Sequence, residues 1–60
     1  MTPAQRDDLL QMLKMRMILE GKDWSCTKAV NEQFGHDEHN YNWTREERSI
    51  FDALYQWRYR

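Results

Sequence analysis

The stretch TPAQRDDLLQMLKMRMILEG, residues 2–21, decides the fold because it carries the start and stop signals of a long helix. Thr2 can cap the helix, Pro3 suits its first position, and a glutamine stands three residues after Thr2, as in a capping box. Two aspartates follow near the positive end of the helix dipole. Good helix formers fill the rest, and Gly21 offers a left-handed stop. The stretch predicts a first helix over residues 3–20.

A second, shorter helix is predicted over residues 24–34. Asp23 or Ser25 can cap it, and Gly35 can end it. Its apolar residues recur at helical spacing and are Cys26, Ala29, Val30 and Phe34.

A third helix is predicted over residues 44–58. Thr44 and Glu47 form another capping box at its start. Its apolar residues gather on one side and are Ile50, Phe51, Leu54, Tyr55 and Trp57. The preceding HDEHNYNW, residues 36–43, has neither a helical nor an alternating apolar period, which indicates an ordered loop.

Together these segments predict a single all-α domain of three helices covering residues 1–60. The chain has 60 residues, of which 40% are hydrophobic and 13% aromatic, so it should fold without being large enough for a second domain. No hairpin signal or persistent strand alternation is present. Short connections allow the helices to pack antiparallel or at a steep angle, and the sequence does not choose between these.

Charge and cysteine usage narrow the class of partner and the compartment. Nine Lys and Arg against ten Asp and Glu give a formal charge of -1. The chain therefore has no net positive charge that would attract polyanions. The single Cys26 excludes an intramolecular disulfide and indicates a reducing compartment. The longest apolar run covers residues 17–19, whereas a bilayer span needs roughly 20 residues. We expect a cytoplasmic protein with no signal peptide and no membrane partner.

The first helix carries more apolar surface than one core-facing stripe. At about 100° per residue, one arc holds the core candidates Leu9, Leu10, Leu13 and Met17. A second arc holds Met12, Met15 and Leu19. Either the third helix and the loop aromatics cover both arcs within a monomer, or a partner covers the second arc. We favour a partner, and a homodimer first, because two joined chains share a larger core.

Residues that could support catalysis or bind a metal do not form a recognisable site. Cys26, His36 and His39 lack four-ligand zinc spacing, and the cysteine falls on the apolar side of its helix. The acidic pairs are adjacent in sequence, so their side chains diverge. The two outer pairs are expected in helix first turns; the pairs are Asp7-Asp8, Asp37-Glu38 and Glu46-Glu47. We therefore expect no enzyme, no metal and no cofactor. His36 and His39 are kept as candidates for a pH switch.

The alternative hypothesis, from another functional class, is a small nucleic-acid-binding or transcription-regulating protein. In the C-terminal YQWRYR, arginines alternate with aromatic residues that could stack on bases. The candidate contacts are Arg45, Arg48, Arg58 and Arg60. Helix C-terminal cations and a core aromatic edge explain most of this motif without a ligand. The eight-residue acidic loop also replaces the tight turn of a helix-turn-helix unit.

In size, capped-helix layout and Met- and Trp-rich faces, the chain resembles the very short, all-helical accessory proteins encoded in the early regions of temperate bacteriophages. No motif, including WTREE and KAVNEQFG, is specific enough to assign a functional site from those proteins to this chain. The resemblance implies a modulator that binds a host protein in the bacterial cytoplasm. The leading prediction is a noncatalytic protein-interaction module. Its predicted partner-binding residues are Met12, Met15, Leu19, Trp57 and Tyr59, whereas Trp24 and Trp43 are expected to anchor the core.

Overall fold

The computed structural model covers residues 1–60 and contains three helices and no strand. These are α1, Pro3–Glu20; α2, Cys26–Gln33; and α3, Arg45–Arg58. The all-α prediction is confirmed. The domain measures 28 × 23 × 20 Å. None of its helices has the length and apolar character needed to cross a bilayer.

The capping signals in the sequence set the ends of α1. The Thr2 hydroxyl accepts from the Gln5 backbone N–H at 3.1 Å, and the Thr2 N–H donates to Gln5 Oε1 at 2.9 Å. At the other end, Gly21 has a φ of +81° and donates its N–H to Met17 O at 3.1 Å. A residue with a Cβ is strained at that φ. Helix α1 therefore ends at the glycine, as predicted.

Two local expectations are wrong. Asp7 and Asp8 do not lie in the first turn of α1, which contains no acidic residue, so the helix dipole stabilises them less than expected. The second helix begins at Cys26 and not at residue 24, because Ser25 is its N-cap and accepts from the Lys28 N–H at 3.2 Å. It ends at Gln33, one residue earlier than predicted.

The core forms where α3 packs against both other helices. All four residues of the predicted α1 core arc are buried. The complete core is Leu9, Leu10, Leu13, Met17, Trp24, Cys26, Ala29, Val30, Ile50 and Leu54. Trp43 packs against this core from outside, so both tryptophans predicted to anchor it do so. The second arc of α1 is exposed, so the expectation that the third helix and the loop aromatics cover it within one chain is wrong.

A buried asparagine holds the loop between α2 and α3. Asn31 is 0% exposed and makes three side-chain hydrogen bonds. Its Nδ2 donates to Glu38 O at 3.2 Å and to Asn40 O at 2.9 Å. Its Oδ1 accepts from Trp43 Nε1 at 2.7 Å. Because every polar atom of this amide is paired, the loop is fastened to α2.

The last turn of α3 holds the turn between α1 and α2. Arg58 Nη1 donates to Trp24 O at 2.6 Å, and Nη2 donates to Lys22 O at 3.3 Å. Charged donors make stronger hydrogen bonds than neutral ones. Arg58 therefore links the C-terminal end of α3 to the turn between α1 and α2.

Candidate functional site

The solvent side of α1 presents a row of large apolar side chains, which we call the α1 outer face. Its members are Met12, Met15, Ile18 and Leu19, which are 61%, 64%, 69% and 83% exposed. Residues three, four and seven positions apart share a side of a helix, so the four residues form one surface. This surface lies on the side of α1 away from Leu13 and Met17, which are buried in the core.

Ile18 belongs to this surface although the sequence prediction left it out. At about 100° per residue it lies roughly 60° beyond Met15, outside the arc drawn through the predicted residues. The spacing of three residues from Met15 was the signal that could have found it. With Ile18, the face extends across the outer side of α1 and is wider than predicted.

The two other predicted partner-binding residues lie at the C-terminal end of α3: Trp57 is in its last turn, and Tyr59 directly follows it. Trp57 is half-buried against the core, and Lys14 Nζ lies 5.7 Å from its ring centroid. Tyr59 is exposed and packs beside Tyr55. The structure thus brings Met12, Met15 and Leu19 together on α1, whereas Trp57 and Tyr59 belong to the C-terminal end of α3 and the residue after it.

Five aromatic rings follow one another along a side of α3 that does not include Trp57, and we call them the aromatic ladder. In order they are Tyr41, Trp43, Phe51, Tyr55 and Tyr59. Centroids of successive rings lie 6.0, 4.7, 5.9 and 4.7 Å apart. The three tyrosines are exposed, whereas Trp43 and Phe51 are half-buried. The four-residue spacing of Phe51, Tyr55 and Tyr59 predicts part of this row, but the loop members join it only through the tertiary fold.

Beside the ladder, the N-terminal part of α1 and one side of α3 line a shallow groove of about 410 Å³, which we call the arginine groove. Arg6, Arg45 and Arg48 line it, with Asp52 as its one acidic residue. Arg6 Nη2 donates to Ser49 Oγ at 3.1 Å, and Arg48 Nε donates to Asp52 Oδ1 at 3.3 Å. The groove is therefore locally cationic in a chain that is close to neutral.

The four arginines of the nucleic-acid prediction do not form one cluster. Arg45 and Arg48 line the arginine groove, and Arg6, which the prediction did not include, joins them. Arg58 is turned toward the backbone of the α1–α2 turn, so its role is structural. Arg60 follows α3 and makes no ion pair.

The residues weighed for metal or nucleophilic chemistry are dispersed. Cys26 is buried at the start of α2, and burial raises the pKa of its thiol, an effect that the nearby Arg58 guanidinium partly opposes. His39 pairs with Glu38 at 3.3 Å on the surface. Nowhere do three His, Cys, Asp or Glu side chains converge on one point. A second groove, of about 500 Å³, has a mixed-charge lining that includes Asp23, Lys28 and His39.

His36 and Glu47 form the best-defined titratable pair. His36 Nε2 lies 2.9 Å from Glu47 Oε2, and the glutamate side chain is only 12% exposed. An ionised carboxylate only accepts, so this hydrogen bond requires a proton on Nε2. The Thr44 backbone N–H, which donates to Glu47 Oε1 at 2.9 Å, and then His36 hold the pKa of Glu47 below its ordinary value.

This lowered pKa predicts a pH dependence of stability. Because the pKa of Glu47 is lower in the folded state, ionised Glu47 stabilises the fold above about pH 4.5, the ordinary glutamate pKa. The stabilisation is lost as pH falls through the lower folded-state pKa. We expect Glu47→Gln, which keeps an acceptor for the Thr44 N–H, to be less stable than wild type at pH 6, and we expect this difference to shrink as the pH falls below about 4.5.

Urea unfolding of both proteins at a series of pH values measures this difference in stability. The contributions of the other carboxylates to the pH dependence are the same in both proteins and cancel in the comparison. Glu46→Gln, in the same helix turn, is the control and should show a smaller pH dependence. A gap between Glu47→Gln and wild type that is constant from pH 3 to pH 6 contradicts the prediction.

No known protein-family model, curated protein or solved structure matches this chain. The function is therefore inferred from the residues and surfaces described above.

Proposed function

We propose that this chain is a noncatalytic protein-interaction module that binds another protein through the α1 outer face. One observation carries the proposal: four large apolar side chains, each at least 61% exposed, occupy one side of one helix. Contiguous apolar patches on small domains mark interaction sites, whereas scattered apolar residues do not.

The composition of the face supports a protein as its occupant. Met12 and Met15 are flexible and polarizable side chains, which adapt to irregular apolar surfaces. Ile18 and Leu19 add branched aliphatic surface next to them. A helix face with anchors three, four and seven residues apart fits against another helix or into an apolar groove.

Two kinds of protein could cover the α1 outer face of such an interaction module. In a homodimer, a second copy of the chain covers the face. In an accessory protein of the phage type, a host protein in the bacterial cytoplasm covers it and is modulated as a result. The single free Cys26 suits such a reducing compartment.

The proposal is tested with Met15→Gln/Leu19→Gln, which removes apolar surface without touching the core. Partner binding is measured by sedimentation of the purified chain and by capture from nuclease-treated bacterial lysate. Truncating anchors of an interface costs about 1 to 2 kcal/mol each, so we expect binding to weaken at least about tenfold. The helix content should stay unchanged in circular dichroism.

Lys28→Gln, an exposed substitution on α2, is the matched control and should bind as wild type does. Equal binding by wild type and the double variant, or a chain that binds neither itself nor any lysate protein, contradicts the proposal.

A second candidate function is binding of single-stranded nucleic acid, because the arginine groove and the aromatic ladder adjoin. Arg48 belongs to both surfaces: it lines the groove, and its Cζ lies 5.7 Å from the Phe51 ring centroid. A cationic groove beside stacking aromatics is the usual arrangement in such proteins.

The salt dependence of binding and the effects of mutations distinguish this candidate function from the first. Binding of a fluorescent single-stranded oligonucleotide, followed by anisotropy, should weaken steeply with salt and in Arg45→Gln/Arg48→Gln. The variant Met15→Gln/Leu19→Gln should leave it unchanged. Absence of binding at low salt rules the candidate out.

A further inference from the structure

We infer that the arginine groove binds the dianionic phosphate group of a phosphate monoester. The groove lies between α1 and α3, and its cationic side chains are Arg6, Arg45 and Arg48. Free phosphorylated compounds and phosphorylated side chains of proteins both carry this group, and the same chemistry recognises it in either. The groove shares no residue with the α1 outer face, so the inference does not depend on the occupant of that face.

The charge of the groove fits a dianion. Three guanidinium groups line it against one carboxylate, that of Asp52, which leaves two positive charges in excess. A phosphate monoester carries a charge of about -1.5 to -2 at neutral pH. A carboxylate or a phosphodiester carries a single negative charge. The monoester is therefore the ligand whose charge neutralises the groove.

The other acidic residues near these arginines in sequence do not line the groove. Glu46 Oε2 lies 3.4 Å from the N-terminal ammonium group, and Glu47 Oε2 lies 2.9 Å from His36 Nε2. Asp7 is exposed and is turned about 100° from Arg6 around the axis of α1. These carboxylates are paired elsewhere or turned away, so the positive excess of the groove remains.

The guanidinium groups are oriented by the fold and still keep free donors. Arg6 Nη2 donates to Ser49 Oγ at 3.1 Å, and Arg48 Nε donates to Asp52 Oδ1 at 3.3 Å. Each of these contacts uses one of the five N–H donors of a guanidinium. Arg45 is exposed and contacts no acceptor of its own chain. Since a phosphate monoester offers three acceptor oxygens, it can accept from all three arginines.

The open shape of the groove also favours a monoester. A monoester is attached through one oxygen only, so its phosphate can enter a shallow groove while the rest of the ligand stays in solvent. The phosphates of a nucleic-acid strand, the second candidate ligand of this groove, are diesters. Each continues into the strand on both sides and keeps only two unesterified oxygens, which are too few for three guanidinium groups.

Titration with two small probes tests the inference. Phenyl phosphate is the monoester, and methyl phenyl phosphate is its diester analogue. In nitrogen–proton correlation NMR, phenyl phosphate should shift the side-chain N–H resonances of the three arginines saturably. It should bind at least about tenfold tighter than the diester. Its affinity should fall as the pH is lowered through about 6, because the ligand then takes up a proton while the arginines stay charged.

Substitutions locate the site. Arg45→Gln should weaken binding of phenyl phosphate about tenfold and leave the circular dichroism unchanged, since the arginine makes no contact that holds the fold. Arg60→Gln makes the same change at an exposed position outside the groove, and it should bind as wild type does. Asp52→Asn keeps an acceptor for Arg48 but removes the one negative charge of the groove, so it should bind more tightly.

Two further probes identify the source of the phosphate. A phosphoserine peptide that binds more tightly than inorganic phosphate, and whose unphosphorylated form does not bind, identifies a phosphorylated segment of a protein. Equal affinity of the phosphopeptide and inorganic phosphate identifies free phosphorylated compounds.

Three results overturn the inference: no saturable shift, equal affinity for the monoester and the diester, or equal binding by wild type and Arg45→Gln. Met15→Gln/Leu19→Gln should bind phenyl phosphate as wild type does. Failure of the phosphate site therefore leaves the proposed function standing, and failure of the α1 outer face leaves the phosphate site standing.

Discussion

Replacing Asn31 with aspartate is expected to remove a large part of the stability of the domain and to lower its melting temperature steeply. The substitution keeps the shape of the side chain but removes both Nδ2 donors, which now hold Glu38 O and Asn40 O. It also directs a carboxylate oxygen at those two carbonyls in a site that is 0% exposed. Leaving a buried charge uncompensated costs about 3 to 5 kcal/mol.

That cost is a large part of the whole stability of a domain of this length. At about 0.05 to 0.15 kcal/mol per residue, 60 residues give about 3 to 9 kcal/mol. Thermal unfolding followed by circular dichroism measures the effect. The matched control is Asn42→Asp, the same chemical change at an exposed position of the same loop, and it should melt within a few degrees of wild type.

A melting curve for Asn31→Asp that overlaps the wild-type curve would show that the asparagine hydrogen bonds do not hold the loop. Asn31→Leu, which removes all three hydrogen bonds without adding charge, should fall between wild type and Asn31→Asp. The order of the three proteins therefore separates lost hydrogen bonds from buried charge.

The second large effect is expected from Leu54→Ala in α3. Leu54 is 0% exposed in the core, and removing its isobutyl group leaves a cavity that the surrounding helices fill only in part. Such substitutions cost about 2 to 5 kcal/mol. Urea unfolding should show a lower midpoint with little change in slope.

Leu19→Ala is the paired substitution, with the same chemical change at a position that is 83% exposed. We expect it to change the stability of the monomer by no more than about 0.5 kcal/mol. If Leu19→Ala destabilises the monomer as much as Leu54→Ala, the residue packs inside the domain and the α1 outer face is not a free surface.

The helices could be predicted from local signals because their ends depend on a few neighbouring residues. The capping boxes at Thr2 and Thr44 are both formed, and periodicity correctly separated the buried arc of α1 from the exposed one. Start signals at α2 were ambiguous, since Asp23 and Ser25 are both good caps and only Ser25 is used.

The contacts between distant residues could not be predicted in this way. Asn31 looks like an ordinary polar residue of a short helix until the loop folds back to within hydrogen-bond distance of its amide. The aromatic ladder likewise combines two loop residues with two from α3 and with Tyr59, which directly follows that helix. Arg6 reaches the arginine groove only because α1 packs against α3. Each depends on tertiary packing that no local pattern encodes.

The link from Arg58 to Trp24 O and Lys22 O has a consequence for how the chain folds during synthesis. These contacts span 34 and 36 residues of sequence, and α3 supplies the surface on which both earlier helices pack. While the ribosome has released only α1 and α2, the core lacks Ile50 and Leu54. The nascent chain therefore acquires its structure in one late cooperative step, after the last turn of α3 has left the exit tunnel.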